Sequence, residues 1–442
     1  MSQRPNIIYI VADDLGYADL GCYGGRDGAH GPVSPVLDRL AAHGARFTDG
    51  YANSSVCSPT RYALITGQYQ YRHRGAAEEP MAASSFGSSV LGLQPHVPTL
   101  PSMLREVGYH TALIGKWHLG HLPAFGPLKS GYDEFFGATG GGLDYFTHRT
   151  SRGDFDLWEG EVECHEEGYL TDIFSRRAVD FVRRKAEDAR AGKPFLLSLH
   201  YTAPHWPWET RDDAAVAPTV AGNLFHLQGG SVDIYRRMIQ HMDEGIGWLV
   251  AELEAQGLLH DTLIVFTSDN GGERFSDNWP LVGGKMDLTE GGIRVPYIVH
   301  WPAVIAPGQV SAQACLSMDW TVTMLAAGGA RVPADHVLDG VSLLPVLQQS
   351  GHSFERPMAW RMKHRDQRAW RQGPWKYLKV DENEYLFNLA EDARERANLA
   401  ERLPEQFVAM RDAWLAWNAT MPAIPEDAKV TLGYSVRNMP SR

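Results

Sequence analysis

Five short apolar runs along the chain predict buried β-strands. They cover residues 6–12, 111–114, 195–199, 262–267 and 295–300. Most of these runs are continuously apolar rather than alternating, which is typical of strands covered on both faces of a sheet. Stretches with the spacing of amphipathic helices lie between them, at residues 100–106, 170–185 and 235–256. Strands that alternate with helices predict an α/β protein with a doubly wound sheet.

The pattern changes near residue 350, where a polar segment precedes short runs rich in Trp and Tyr. These runs predict a small antiparallel sheet with turns between its strands, and they cover residues 358–362, 370, 375–380 and 384–389. Residues 404–418 have helical spacing, and four apolar side chains on one face are expected to pack on that sheet: Phe407, Met410, Trp414 and Trp417. We therefore predict a large α/β domain over residues 1–350 and a C-terminal subdomain over residues 351–442.

The 442 residues include 41 Lys and Arg against 53 Asp and Glu, a formal net charge of −12. This acidic balance argues against a nucleic-acid-binding protein, because contacts with phosphates need a basic surface. No apolar run approaches the roughly 20 residues that span a bilayer, and the apolar start of the chain is too short for a signal peptide. We therefore expect no membrane partner and a cytoplasmic protein, or a periplasmic or secreted one if a leader was removed.

Charged and polar side chains follow four of the predicted strands. The first strand leads into Asp13-Asp14, and the strand at 262–267 leads into Asp269-Asn270. Parallel strands would bring these ends to one rim of the sheet, where α/β proteins bind ligands. Either pair alone is better interpreted as a helix cap or a turn. Together, four oxygen-bearing side chains favour a site for a hard cation such as Ca²⁺ or Mg²⁺.

The other two strand ends carry basic side chains, whose charge is opposite to that of the carboxylates. Lys116 and His118 follow the strand at 111–114, and His205 lies just beyond the strand at 195–199. Arg61 and Lys285 are further candidates for the same cleft. Each residue taken alone also has an ordinary interpretation, such as a solvated lysine or a loop histidine. As a set around one metal site, they predict an anionic substrate.

Four cysteines are present, far apart and without a Cys-x-x-Cys pair, which argues against a disulfide scaffold or a thiolate zinc site. We interpret Cys22, Cys164 and Cys315 as ordinary buried or half-buried side chains. Cys57 differs because a helix is predicted to begin near Pro59, so that Cys57 would cap its N-terminus, where backbone N–H groups stabilise an anion. The residues alone thus predict a thiolate nucleophile next to a hard cation, an awkward pairing because soft thiolates bind such cations poorly.

The sequence resembles the type I sulfatases of the alkaline phosphatase superfamily over nearly its whole length. The motifs that carry the resemblance follow in order: RPNIIYIVADDLGYADLGCYG at 4–24, CSPTRYALITG at 57–67, GYHTALIGKWHLG at 108–120, YTAPHWP at 201–207, SDNGG at 268–272, GGKMDLTEGGIRVPYIVHWP at 283–302, WRQGPWKYLKV at 370–380 and EYLFNLAEDARERANLA at 384–400. The resemblance implies a large, mostly parallel mixed sheet flanked by helices, with residues 1–350 as the catalytic domain and a small antiparallel C-terminal subdomain.

The resemblance also removes the mismatch at the nucleophile. In this family a maturation enzyme oxidises the corresponding cysteine to formylglycine, whose hydrated form offers hard oxygen atoms. Cys57 is the matching position, and Arg61 matches the arginine that holds the hydrated aldehyde. The implied calcium ligands are Asp13, Asp14, Asp269, Asn270 and modified Cys57. One departure is Gln68, which stands where many members have an arginine and leaves the efficiency of Cys57 conversion open.

Further roles carry over by the same resemblance. Lys116 and Lys285 are expected to stabilise charge on the sulfate oxygens, and His205 to protonate the leaving oxygen. His118 is expected to remove a proton from the second hydroxyl of the hydrated aldehyde, so that sulfate is expelled and the aldehyde returns.

The implied function is hydrolysis of sulfate monoesters, either aryl or carbohydrate sulfates. A phosphonate monoester or phosphodiester hydrolase of the same superfamily is the alternative, and a non-catalytic anion-binding protein is disfavoured because every matching position is present. Four side chains are candidates for the rim of the cleft, although ordinary packing explains them equally well: His73, Trp158, Trp206 and Trp208.

Overall fold

The computed structural model describes residues 4–25, 31–82, 85–220 and 222–432. Within these ranges twelve strands precede residue 350, and in chain order they are β1 (Asn6–Ala12), β2 (Ala45–Phe47), β3 (Gly50–Tyr51), β4 (His110–Lys116), β5 (Glu134–Ala138), β6 (Trp158–Glu159), β7 (Val162–Glu163), β8 (Phe195–His200), β9 (Thr262–Ser268), β10 (Tyr297–His300), β11 (Gln309–Ser311) and β12 (Cys315–Leu316). Ten of them form one mixed sheet in the order β11-β2-β10-β9-β1-β8-β4-β5-β6-β7, and β3 pairs with β12 separately.

The centre of the large sheet is parallel, as the sequence predicts. Strands β9, β1, β8, β4 and β5 run side by side in one direction. The run predicted at 295–300 is a shorter strand, β10, and it lies antiparallel to β9. The hairpin of β6 and β7 was not predicted, because strands of two residues leave no apolar run in the sequence.

Helices cover both faces of this sheet. They are α1 (Pro35–Ala42), α2 (Cys57–Thr66), α3 (Leu100–Glu106), α4 (Leu170–Arg190), α5 (Ala217–Val220), α6 (Val232–Ala255), α7 (Glu290–Ile293), α8 (Ser317–Gly328) and α9 (Leu344–Gln348). Successive side chains of β1 face opposite sides, so Ile8 and Ile10 pack with α1, α4 and α6, whereas Ile7 and Tyr9 pack with α2, α3 and α8. Burial on both faces explains why the strands are continuously apolar.

The C-terminal part is an antiparallel meander of β13 (Met358–Met362), β14 (Gln367–Gln372), β15 (Trp375–Val380) and β16 (Asn383–Asn388), followed by α10 (Pro404–Asn418). The predicted aromatic face of α10 packs on this sheet, with Met410 and Trp414 buried against Tyr377 and Leu386. The strands and the helix agree closely with the sequence prediction.

The C-terminal sheet also shares a core with the large domain. Trp360 of β13 packs at 5.5 Å, between ring centroids, from Tyr51 of β3. Lys376 of β15 lies between two buried carboxylates, 2.9 Å from Glu290 of α7 and 2.8 Å from Glu395. The division at residue 350 stays a prediction. In the described ranges, no helix combines the length and the apolar character that crossing a bilayer requires.

Candidate active site

The register of the central strands brings the predicted side chains to one edge. Ala12 at the end of β1 pairs with Ser268 at the end of β9, so the acidic pair Asp13-Asp14 lies beside Asp269-Asn270. Asp14 has a positive φ of 64°, a left-handed conformation that Asp tolerates better than most residues, and it turns the chain at this point.

These residues form a compact acidic cluster. One ligand atom each from Asp13, Cys57 and Asp269 lies within 4.8 Å of the others, and the same holds for Asp13, Asp14 and His205. Two oxygen atoms, Asp13 Oδ1 and Asn270 Oδ1, are buried and have no hydrogen-bond partner among the described residues. Buried polar atoms are normally satisfied, so oxygen atoms left free next to carboxylates fit a hard cation such as Ca²⁺.

Each carboxylate of the cluster has a buried cation. Lys116 Nζ lies 2.5 Å from Asp13 Oδ2, and Lys285 Nζ lies 2.7 Å from Asp14 Oδ2. Arg61 contacts Asp269 Oδ2 through Nε at 3.0 Å and through a terminal nitrogen at 2.9 Å. The predicted cations and anions are therefore brought together, and their pairing offsets the cost of burying so many charges.

The pKa values follow from this arrangement. Burial alone would raise the pKa of the Asp14 carboxyl, but Lys285 and His205 outweigh it and lower the value to about 2. Burial and the neighbouring Asp13 raise the pKa of Asp269 to about 6, despite Arg61. A cation beside Asp269 would favour its charged form, because opposite charge at close range lowers a carboxyl pKa.

Cys57 is the first residue of α2, which begins two residues earlier than the sequence predicts. Pro59 is tolerated as the third helical residue because N–H groups of the first turn have no partner within the helix. Burial raises the pKa of the Cys57 thiol, although Lys116 and Lys285 act in the opposite direction. An unmodified Cys57 would thus remain a neutral thiol, which argues against the thiolate nucleophile.

The two histidines with predicted roles lie at the same edge, and hydrogen bonds to carbonyl oxygens define their tautomers. His118 Nε2 lies 2.8 Å from Met81 O, so it carries the proton, and Nδ1 has no partner within the described chain. His205 Nδ1 lies 2.7 Å from Trp206 O, and its Nε2 lies 3.6 Å from Asp14 Oδ2. Burial lowers the pKa of both imidazoles well below the ordinary value, so both rings are neutral.

A cleft of about 240 Å³ opens above this cluster, and its lining includes Cys57, His118, His205 and Lys285. The glycine run Gly140–Gly142, which was not predicted as part of the site, lines the cleft as well. A Cβ on Gly141 would lie 2.5 Å from the His118 ring, and one on Gly142 would lie 3.2 Å from the His205 ring. The signal in the sequence was a run of three consecutive glycines, which begins two residues after β5, a strand that was not predicted.

Of the four candidates for the rim, one lies in the cleft and three lie elsewhere. Trp206 lines the cleft, whereas Trp208 is buried against Tyr235 and Phe275. Trp158 is half-buried and donates its Nε1–H to Asp156 at 2.7 Å. His73 lines a separate cavity of about 230 Å³.

Gln68 lies two residues beyond the C-terminal end of α2. It donates through Nε2 to Val337 O at 2.7 Å, and its Oε1 lies 3.1 Å from His73 Nε2.

Comparison with known proteins decides the family. The family model described as Sulfatase matches residues 5–330. The chain belongs to the sulfatase family. A second family model, described as N-sulphoglucosamine sulphohydrolase, C-terminal, matches residues 284–411.

Relatives of this sulfatase include N-acetylgalactosamine-6-sulfatase of Rattus norvegicus, which is 34% identical in a match covering 80% of this chain and 68% of the relative. Steryl-sulfatase of Mus musculus is 32% identical over 79% of this chain and 66% of its own length. The structure of Ps i-CgsB in complex with k-i-k-neocarrahexaose is similar, with a TM-score of 0.82 and 33% identity over 94% of this chain and 93% of that chain.

The chain is therefore an enzyme that hydrolyses sulfate esters, and the predicted alkaline phosphatase-type fold is confirmed. The family uses Ca²⁺ and formylglycine, and the acidic cluster is of the kind that holds a metal ion. Phosphonate monoester hydrolase of Agrobacterium radiobacter shares the fold, with a TM-score of 0.62, 21% identity and coverage of 94% of this chain and 96% of that chain.

Proposed function

We propose that this sulfatase hydrolyses sulfate monoesters of carbohydrates, using Cys57 converted to formylglycine and a calcium ion. The observation that carries the proposal is the position of Cys57, within 4.8 Å of carboxylate oxygens of Asp13 and Asp269 and on the floor of an open cleft. The carbohydrate part is supported by the names of the relatives, an N-acetylgalactosamine-6-sulfatase and a protein solved with a neocarrahexaose.

The metal site is proposed to consist of Asp13, Asp14, Asp269, Asn270 and modified Cys57. The two free oxygens, Asp13 Oδ1 and Asn270 Oδ1, support this assignment. When bound, Ca²⁺ would supply a Lewis acid for the sulfate oxygens, and formylglycine would supply a hydrated aldehyde as nucleophile. Arg61, fixed by Asp269, would hold the modified side chain.

Lys116 and Lys285 are proposed to bind the sulfate. Both ammonium groups are buried, and both are held by carboxylates of the cluster. Such preorganised cations stabilise negative charge on the sulfuryl oxygens without reorganising during the reaction. Their burial in a low-dielectric site strengthens the attraction.

The two histidines are proposed to move protons at defined atoms. His118 already uses its Nε2–H toward Met81 O, so Nδ1 is the atom that accepts a proton in the step that releases sulfate. His205 uses its Nδ1–H toward Trp206 O, so Nε2 must carry the proton that goes to the leaving oxygen. An anionic substrate beside Lys285 favours this second proton, because it offsets the positive charge that lowers the His205 pKa.

A maturation enzyme that converts Cys57 is the protein partner that the proposal requires. Its action is tested by the mass of the intact protein, in which sulfur and two hydrogens of Cys57 should be replaced by one oxygen. Gln68 is directed to Val337 and His73 rather than to the cleft, so we expect it to leave the mature site unaffected.

The experiment that tests the function compares substrates on the verified, converted protein. We expect turnover of N-acetylgalactosamine-6-sulfate and of an aryl sulfate, and far slower turnover of an aryl phosphonate. Cys57→Ala serves as the matched inactive control. A preference for the phosphonate would overturn the assignment and support the phosphonate monoester hydrolase.

A further inference from the structure

An aromatic surface lies immediately beside the proposed proton donor. The ring of Trp206 is 4.0 Å from the ring of His205 and 4.5 Å from the ring of Phe225, measured between centroids. Trp206 and Phe225, here called the aromatic wall, line the cleft together with His205 and Lys285. Whatever group departs from the sulfate toward His205 must therefore lie close to this wall.

One buried carboxylate, that of Glu273, links the aromatic wall to Lys285. Trp206 Nε1 donates to Glu273 Oε1 at 3.1 Å, and the same oxygen lies 3.8 Å from Lys285 Nζ. Glu273 is only 6% exposed and follows the loop that carries Asp269 and Asn270. A single carboxylate thus fixes the indole plane relative to the lysine that contacts Asp14.

The aromatic wall favours substrates whose leaving group contains a ring. An indole face packs well against an aryl group or the apolar face of a pyranose, whereas an open alkyl chain covers much less of it. Because Trp206 is held through Nε1 and by Phe225, its plane is set before the substrate arrives, and little conformational freedom is lost on binding. A fixed plane beside His205 also orients the ester oxygen toward Nε2.

Resting on the proposed function, we propose that Trp206 and Phe225 form the leaving-group subsite and select sulfate esters of ring-bearing alcohols or phenols. Glu273 is the positioning residue of this subsite, because it orients Trp206 relative to Lys285 without touching the substrate.

The test compares kcat/KM for a sugar sulfate and an open-chain alkyl sulfate in the converted protein. The readout is the ratio of the two kcat/KM values. Any effect of a variant on Lys285 that is the same for both substrates therefore cancels. We expect Trp206→Ala to lower the ratio about tenfold, which corresponds to about 1.4 kcal/mol of lost ring binding. Phe225→Leu should lower the ratio by a smaller factor in the same direction.

Three comparisons isolate the hydrogen bond between Trp206 and Glu273. Trp206→Phe and Glu273→Leu both remove it, so each should lower the ratio, and the double variant should be no worse than the poorer single variant. Glu273→Gln keeps an acceptor for the indole N–H and should restore the ratio. Trp208→Phe makes the same chemical change two positions away, outside the cleft, and should leave the ratio unchanged.

Equal losses for the sugar and alkyl sulfates in Trp206→Ala and Trp206→Phe would overturn the subsite while leaving the sulfatase function intact. Absence of turnover on every sulfate ester by the converted wild type would instead overturn the proposed function, and the subsite with it.

Discussion

Lys116 Nζ lies 2.5 Å from Asp13 Oδ2, and neither side chain reaches solvent. The same relation holds for Lys285 with Asp14 and for Arg61 with Asp269, so three buried cations balance three buried carboxylates. A calcium ion in this cluster would add two positive charges to these three neutral pairs. The cluster with its metal then attracts a sulfate monoester, and the metal and the anion are each expected to strengthen binding of the other.

The first prediction concerns the metal. Calcium should stabilise the wild type by about 2.7 kcal/mol when its concentration is 100 times its Kd, since it binds only the folded cluster. Melting curves with calcium or with a chelator measure this difference. Asp13→Ala and Asp269→Ala should abolish both the calcium effect and activity, whereas Asp188→Asn on the exposed side of α4 should retain them. Full calcium content in the two alanine variants, by elemental analysis, would contradict the proposed ligands.

The second prediction separates the histidines. His205→Ala should impair substrates with poor leaving groups, such as sugar sulfates, far more than activated aryl sulfates, because an activated phenolate needs little protonation. Comparison of kcat/KM for the two substrate types measures this difference. An equal loss on both would show that His205 binds the sulfate rather than protonating the leaving oxygen.

His118→Ala should slow a later step, the release of sulfate. If His118 Nδ1 accepts the proton that accompanies sulfate release, the variant should liberate one equivalent of alcohol quickly and then nearly stop. A stopped-flow burst equal to the enzyme concentration is the expected signal. A slow, linear time course without a burst would argue against this role.

The third prediction concerns the glycines between the two histidines. A methyl group at Gly141 would lie 2.5 Å from the His118 ring, closer than atoms can approach, so Gly141→Ala should displace the ring. We expect at least a tenfold loss of kcat and retained calcium binding. Gly142→Ala is the matched comparison. Its added methyl group would lie 3.1 Å from its nearest neighbour, Trp206, so the variant should lose less kcat. Equal losses in both variants would indicate a general disturbance of the loop.

Much of the fold could be predicted because its strands are buried on both faces. The runs of β1, β8 and β9 are continuously apolar, and each ends in chemistry-bearing residues. Parallel order places these ends on one edge of the sheet, which made an acidic cluster predictable from the residues, and the pairing of β1 with β9 brings Asp13 and Asp269 together.

The remaining features depend on partners far apart in sequence. Trp206 and Glu273 are 67 positions apart, and no local pattern indicates that they meet. Lys376 and Glu290 are 86 positions apart, and a lysine in a strand is ordinarily expected at the surface. The helix was predicted to begin near Pro59, and α2 begins two residues earlier, because Pro fits the first helical turn at more than one position.

The fourth prediction concerns this buried lysine. Lys376→Met should destabilise the fold by about 3–5 kcal/mol, because it leaves Glu290 and Glu395 buried without their shared cation. Lys379→Met, on the same strand, removes a lysine paired with the exposed Asp366 and should cost less than about 1 kcal/mol. Urea unfolding at pH 7 measures both. Similar values for the two variants would contradict the bridging role of Lys376.

The effect of Lys376→Met should depend on pH. Burial would raise the pKa of Glu290, but Lys376, with Arg294 and Arg371, lowers it from 4.5 to about 2. A lowered carboxyl pKa stabilises the fold above pH 4.5 and loses this effect as pH falls toward 2. The difference in stability between wild type and variant should therefore narrow over that range, and a constant difference would count against the charge interaction.

The last prediction concerns Cys57→Ser. The serine hydroxyl has similar size and is a harder ligand than a thiol, so the variant should fold and retain calcium. Its hydroxyl is able to attack sulfur, but the resulting ester has no second hydroxyl on the same carbon to expel sulfate. The variant should therefore stall after one cycle, with sulfate esterified to the introduced serine and visible in the mass of the peptide. Wild-type protein made without the maturation enzyme should be inactive as well, because burial keeps its Cys57 thiol neutral. Multiple turnovers by protein with a verified, unconverted Cys57 would overturn the formylglycine mechanism and restore the thiolate as the nucleophile.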